Sequence, residues 1–322
     1  MAFQDIKGQE RSISTLREYL KAKRIAGAYL FAGPEGVGKY LAAKTFAKAV
    51  NCLLKQDDSC DACPSCRKID KNEHPDVHLI ERADAESISI ESIRELKRNI
   101  SLRPYEGKFK VFIINDAHKL GAEASNALLK VLEEPPGDSL IILVSAKPAA
   151  LFKTVISRCQ TVKFSVLKRA ELEAVLKKDY SLDNHLAHFL AYFSEGRTGR
   201  SLRLKDADIL GQKNRIIDAF IGRPAQPLDN LATQTRRDIR QYLNLLVGWF
   251  RDIYLMKVGV PPAELINLDR RDELLTLVHR YSWFELEEIF RSIADSLLYL
   301  EQNVNVKLLL SNLKAQVWKE KS

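Results

Sequence analysis

Residues 29–40, Tyr29-Leu30-Phe31-Ala32-Gly33-Pro34-Glu35-Gly36-Val37-Gly38-Lys39-Tyr40, run from an apolar stretch into a glycine-rich loop that closes on lysine. The spacing of Gly33, Gly38 and Lys39 fits the G-x-x-x-x-G-K pattern of a phosphate-binding loop. Its glycines, Gly36 among them, permit positive φ and close backbone approach. Successive N–H groups can then face an anion, and the next helix adds the positive end of its dipole. Leu41, Ala42, Thr45, Phe46 and Ala49 recur at helical spacing and supply that helix. In a complete motif the residue after the lysine is Ser or Thr, whose hydroxyl binds Mg²⁺, but here it is Tyr40. A phenol on a longer, rigid arm cannot fill that place. The loop therefore reads as a vestigial or passive nucleotide site, in which binding ATP and hydrolysing it are separate matters.

Lys110-Val111-Phe112-Ile113-Ile114 is an apolar strand that ends in Asn115-Asp116, the place and form of a Walker B element. A working site offers Asp to the Mg²⁺ shell and then Glu to polarise water. Asn115 is a weak Mg²⁺ ligand, and Asp116 is shorter than Glu. Tyr40 and Asn115-Asp116 thus argue together against autonomous ATP hydrolysis. Further chemistry is offered by Cys52, Cys60, Cys63 and Cys66. In a reducing compartment such a cluster reads as metal before disulfide. Four thiolates can close a tetrahedral Zn²⁺ site, with polar Asp57, Asp58, Ser59 and Asp61 forming the loop between them. An iron–sulfur cluster or an unmetallated loop are the alternatives. No open coordination position or general base is suggested, so the zinc is expected to be structural. His74 and His78 read as surface or strand-end polarity rather than ligands.

The elements that must position these residues follow from periodicity. Ile13, Leu16 and Leu20 predict a helix ahead of the loop, and residues 77–80 a strand. Ser89 caps a helix that carries Ile90, Ile93 and Leu96 on one face. A helix from Ala122 to Glu134 stops at Pro135-Pro136-Gly137, and Leu140 to Val144 forms another buried strand. Strands and helices alternating at this length imply an α/β core with a parallel sheet covered on both faces. From about Ser165 the pattern is helical. It includes an amphipathic helix from Asp238 to Lys257, with Ile239, Tyr242, Leu243, Leu246, Phe250, Ile253 and Tyr254 on its apolar face. A proline-bearing break falls at 223–227, and helices are expected near 283–300 and 304–319. The chain has 322 residues, of which 46% are hydrophobic and 29% charged, so two or three domains are expected. The absence of a run of about 18 apolar residues, and of a signal-peptide pattern at Met1-Ala2-Phe3, predicts a soluble, cytoplasmic protein with no membrane partner. A net charge of +8 suits a polyanionic partner only weakly. Arg94, Lys97, Arg98, Arg103, Lys108 and Lys110 form a candidate basic patch, with a solvated face as the plainer reading.

Three features together, the four-cysteine module after the loop helix, Asn126-Ala127-Leu128-Leu129-Lys130-Val131-Leu132-Glu133-Glu134-Pro135-Pro136, and Ser157-Arg158-Cys159, resemble the bacterial DNA polymerase III clamp-loader subunits of the AAA+ class. The resemblance spans essentially the whole chain, since 300–308 is similar to the family's last collar helices. It implies an AAA+ core with zinc module over 1–164, a helical lid over 165–209 and a helical collar over 210–322. The collar would join gamma/tau and delta subunits in a hetero-pentamer that loads a sliding clamp onto primer-template DNA in replication. Intact Walker motifs mark the family's ATPases, so the degraded ones here imply its stationary member. The resemblance gives Arg158 the part of a finger reaching a neighbour's ATP, whereas the local alternative is a helix cap or a pair with a carboxylate such as Glu133. The family's sensor-2 arginine falls at Gly199 or, with a shift of one residue, Arg200. Rival readings are an active gamma/tau-type ATPase and a DNA-repair AAA+ motor, the latter expected to form homo-oligomers.

Overall fold

The computed structural model describes residues 1–81, 87–221, 234–302 and 304–318. The break expected at 223–227 and the end of the last helix at residue 319 lie outside them. Strands β1 (Ala28–Ala32), β2 (Val77–Ile80), β3 (Lys110–Ile114), β4 (Ser139–Ser145) and β5 (Gln160–Lys163) form one parallel sheet in the order β2-β3-β4-β1-β5. The inner strands β1, β3 and β4 are buried at every position, as continuous apolar runs between two helical layers must be.

Alternation along β1 divides the core. Tyr29 and Phe31 face a layer that contains α1 (Glu10–Lys21) and α2 (Lys39–Asn51), where they meet Leu16, Leu20 and Phe46. Leu30 and Ala32 face the opposite layer, packing with Ile93 and Leu96 of α4 (Ile90–Ile100) and Leu128 and Leu132 of α5 (Ala122–Glu133). Ser89 caps α4 as expected, its side chain accepting from the Ser92 N–H. An α/β core with a parallel sheet covered on both faces, followed by helices, is therefore the fold observed.

Two expectations change here. Lys110 is not part of an exposed basic patch, because it is buried on β3, while Arg94, Lys97, Arg98, Arg103 and Lys108 are exposed. His74 is likewise not surface polarity but is buried. Its Nδ1 accepts from the Asp76 N–H (3.1 Å), and its Nε2 lies 3.3 Å from the Ser65 hydroxyl. His78 is half-buried and stacks on Phe112 at 4.7 Å.

By chain contacts, Met1–Val175 with Glu195–Arg200 forms one compact unit, and Leu176–Ser194 with Ser201–Ser322 another. The second unit is helical among its described residues. Its longest helix, Arg236–Val258, opens on a Thr235–Asp238 capping box and ends at Gly259 with φ of 90°, a C-cap that glycine adopts without strain. Ile239, Leu243, Leu246, Phe250 and Ile253 are buried as the apolar face predicts, whereas Tyr254 is exposed. Asp252 is also buried, accepting from the N–H groups of Ile266 (2.9 Å) and Asn267 (2.8 Å) and from Asn267 Nδ2 (2.7 Å). Helices Trp283–Tyr299 and Val306–Val317 match the two expected near the C-terminus. No helix among the described residues is long and apolar enough to cross a membrane.

In the first unit, Asp76 performs the same service for the turn that leads into β3. It is fully buried and accepts from the N–H groups of Tyr105 (2.7 Å), Glu106 (2.8 Å) and Gly107 (2.8 Å). Burial alone would raise its pKa, but the three donors outweigh it and hold the carboxyl below its usual range. Asp76→Ala is expected to lower stability by about 2–3 kcal/mol at neutral pH. Because the folded pKa lies below the unfolded value of about 3.9, this contribution is complete above that value and is lost as pH falls through the folded one. Urea unfolding of both proteins should therefore show a gap at pH 7 that narrows in acid.

Candidate functional site

The glycine-rich loop sits at the carboxyl end of β1, and its backbone is shaped as the motif requires. Gly33, Gly36 and Gly38 have φ of 154°, 78° and 93°, and Gly38 caps α2. At Gly33 a Cβ would lie 2.1 Å from the Phe164 carbonyl oxygen, so the strand pair β1 and β5 can close only over glycine. Lys39 is buried and donates from Nζ to the Pro34 carbonyl at 2.5 Å. Burial pushes its pKa down to about 8, and the carboxylates of Asp116 and Glu35 pull the other way. The fold has thus brought Asp116, from the end of β3, into electrostatic reach of the loop lysine.

The two metal positions are occupied differently from a working site. Asn115 donates from Nδ2 to Glu81 at 3.0 Å. Tyr40 is half-buried, and its phenol pKa is raised first by burial and then by the charge of Glu81. Glu81 therefore neighbours both departures from the motif, a placement the linear sequence does not show because Glu81 follows a different strand. Asp116 is in the left-handed region (φ 51°) and starts the 3₁₀ turn Ala117–Lys119.

Gly199 lies against the loop itself, its N–H donating to the Gly36 carbonyl at 2.7 Å. A Cβ there would stand 2.9 Å from that oxygen. Arg200 turns to Glu195 at 3.3 Å. Of the two positions considered for the sensor arginine, the one in contact with the loop is glycine and the arginine is paired elsewhere.

Arg158 is exposed between α6 (Lys153–Ile156) and β5. Its Nη2 pairs with Glu133 at 2.7 Å, and its Nη1 donates to the Thr154 carbonyl at 2.9 Å. This is the local arrangement foreseen as the alternative to a finger. The Arg158 and Glu133 side chains are 34% and 49% exposed, and an ion pair so open to solvent contributes at most about 1 kcal/mol. A stronger anion can take the guanidinium from it. Burial pushes the neighbouring Cys159 thiol up to about 12, which makes it a poor nucleophile.

The sulfurs of Cys52, Cys60, Cys63 and Cys66 all lie within 4.8 Å of one another, and the Sγ atoms of Cys60 and Cys66 are 3.9 Å apart. A tetrahedron of Zn–S bonds of about 2.3 Å needs sulfurs about 3.8 Å apart, so the set can hold a metal ion with a small contraction. The loop expected between the cysteines passes into α3 (Pro64–Asp70), for which Cys63 is the N-cap, its sulfur accepting from the Cys66 N–H. Burial pushes the Cys60 thiol up, but the N–H groups of Cys63 and Ala62 with the neighbouring thiols more than offset this and bring it to about 6. The module is anchored to α2 by buried Lys48, which pairs with Asp61 (2.5 Å) and Asp70 (3.0 Å). Lys108 of the basic patch reaches back to it, donating to the Cys52 carbonyl at 2.9 Å.

Two family models cover most of the chain. One, described as DNA polymerase III, delta subunit, matches residues 8–168, and one for the C-terminal part of that subunit matches 212–316. Among curated relatives, the Bacillus subtilis DNA polymerase III subunit tau is 32% identical over 286 residues, 80% of this chain and 50% of that protein. The Bacillus subtilis delta-prime subunit is 29% identical over 319 residues, 95% of this chain and 94% of that protein. The Haemophilus influenzae subunit tau/gamma is 37% identical over 189 residues, 58% of this chain and 26% of that protein. The chain therefore spans half or less of these tau relatives. A solved Thermotoga maritima protein related to the gamma subunit superposes with a TM-score of 0.48 at 18% identity, covering 95% of this chain and 98% of that one.

Gly33→Ala separates the loop's architecture from any ligand. With the Phe164 carbonyl in the way and φ in a region costly for alanine, a loss of about 2–4 kcal/mol is expected without nucleotide present. Thermal unfolding of the nucleotide-free protein measures it.

Proposed function

Because the chain belongs to the DNA polymerase III delta-subunit family of clamp-loader proteins, we propose that it is the delta-prime type of subunit, a stationary member that does not hydrolyse ATP and lends Arg158 to a neighbour. The observation that carries this reading is the state of the nucleotide loop. The backbone cradle and Lys39 are intact, while Tyr40 and Asn115 stand where the protein ligands of Mg²⁺ belong. A cradle without its metal ligands can hold a polyphosphate but lacks the means to stabilise charge moving onto the leaving oxygen. Coverage of 94% of the Bacillus subtilis delta-prime subunit supports the same reading.

In this proposal residues 1–164 are the AAA+ core, 165–209 the lid and 210–322 the collar that meets gamma/tau and delta subunits in a hetero-pentamer. The sliding clamp and primer-template DNA are the assembly's further partners, and exposed Arg94, Lys97, Arg98 and Arg103 are candidates for phosphate contact. Arg158 serves in trans because a guanidinium stays charged, offers a planar fork of donors and is held locally by a solvent-exposed pair with Glu133 and one hydrogen bond to the Thr154 carbonyl. The second reading, an active gamma/tau-type ATPase, draws on the tau relatives at 32–37% identity. It requires turnover by this chain alone.

The isolated chain is expected to show no ATP hydrolysis above background. In a complex reconstituted with gamma/tau and delta subunits, Arg158→Ala should lower clamp- and DNA-stimulated turnover at the neighbouring site by about 10³-fold or more, leaving assembly unchanged. Parent-rate hydrolysis by the mutant complex would make Arg158 a local structural residue. Turnover by the isolated chain would favour the second reading.

Cys52, Cys60, Cys63 and Cys66 would hold one structural Zn²⁺, whose bonds would tie α3 to the end of α2. Elemental analysis of protein purified without chelator should find about one zinc per chain, and Cys63→Ser should lower both zinc content and melting temperature while leaving nucleotide affinity unchanged.

A further inference from the structure

β2 is the outer strand of the sheet, and among the described residues its strand partner is β3 alone. The ladder to β3 includes Val111 N–H to the Asp76 carbonyl (2.7 Å) and Asn115 N–H to the Ile80 carbonyl (2.9 Å). Backbone groups alternate sides along a strand, so residues 76, 78 and 80 face β3. The Leu79 N–H and C=O and the Val77 C=O face outward. Beside that edge lies a cavity of about 600 Å³, walled by Tyr40 and Lys44 of α2 and by Glu95, Leu96 and Asn99 of α4.

These walls belong to opposite faces of the sheet. Val77, Leu79 and Tyr40 pack with the α2 layer, and Ile80 and Leu96 with the α4 layer. The space between is therefore in line with the sheet, as the next strand would be. Side chains of an incoming strand would fall alternately under the two helices. All four β2 residues are half-buried, and neither lysine nor proline stands among them to oppose pairing.

The charge of the cavity is opposite to that of the chain. Glu73, Glu81 and Glu95 line it against Lys44, and the Lys44 ammonium is already bonded to the Asp70 carbonyl (2.9 Å) and Asn72 Oδ1 (2.8 Å). The chain as a whole carries +8. We propose that this groove binds an extended segment of another protein in which apolar residues alternate with lysine or arginine, added beside β2 as a further parallel or antiparallel strand. Main-chain hydrogen bonds to Leu79 supply the affinity, and the carboxylates select basic over acidic segments. The inference does not depend on the clamp-loader reading.

The probe is a fluorescein-labelled Lys-Val-Lys-Val-Lys peptide titrated into the full chain and followed by anisotropy. Saturable binding is expected. An N-methylated version, which cannot donate along its edge, should bind about tenfold more weakly or worse, as should the Glu-Val-Glu-Val-Glu peptide. Glu73→Lys combined with Glu95→Lys, both exposed and outside the core, should weaken the basic peptide by about tenfold. Hydrogen exchange at the Leu79 amide should slow on peptide addition. The proposal fails if the basic peptide shows no saturable binding, if the N-methylated peptide binds equally, if the double variant binds unchanged, or if protection appears away from Leu79. It also fails if sedimentation shows the groove closed by a second copy of the chain that the double variant releases.

Discussion

Burial of β1 on both faces is the constraint on which the first unit depends. Tyr29 and Phe31 must find one layer and Leu30 and Ala32 the other, so helices have to lie on each side of the sheet and the strand has to pair with β4 and β5 at once. The chain leaves β1 with no room for a side chain at Gly33, because the Phe164 carbonyl already occupies it. Positive φ at Gly36 and Gly38 then turns the backbone into α2. Packing against the Phe164 carbonyl thus fixes where the loop begins.

The same packing sets the electrostatics. Parallel strands end at one edge, so Lys39, Asp116, Asn115 and Glu81 converge although they follow three different strands. Lys39 loses water, and the carboxylates of Asp116 and Glu35 offset part of that cost. Asn115 donates to Glu81, and the charge of Glu81 also helps to raise the Tyr40 phenol pKa, so one glutamate neighbours both departures from the motif. Arg158, at the surface and weakly held, contrasts with buried Lys39. The role in trans proposed for Arg158 would need such exposure and a local pair that costs little to release.

The cysteine module lies at the other end of α2, beside the turn that leads into β3. Lys48 ties it to α2, Lys108 and the Asn51–Phe109 bonds tie it to the turn before β3, and Asp76 gathers the amides of that turn. A metal-sized cluster of four sulfurs therefore lies among part-buried polar contacts that reach from α2 to the start of β3.

Features written in neighbouring residues or in a period of 2 or 3.6 were legible in the sequence. They include the glycine loop, the apolar strands, the Ser89 cap, the long helix around Asp238 to Lys257, the cysteine cluster and the defects at Tyr40 and Asn115. Each is decided by a few adjacent side chains and by the local backbone they permit. Tertiary structure alone decided that Lys110 and His74 are buried, that Glu81 meets Asn115 from 34 positions away, that the Gly199 amide closes on Gly36, that Arg158 rests on Glu133, and that β2 is the outer strand of the sheet among the described residues. These depend on the order in which strands join the sheet. Strand order is set by the joint burial of many distant apolar residues, and no local pattern encodes it.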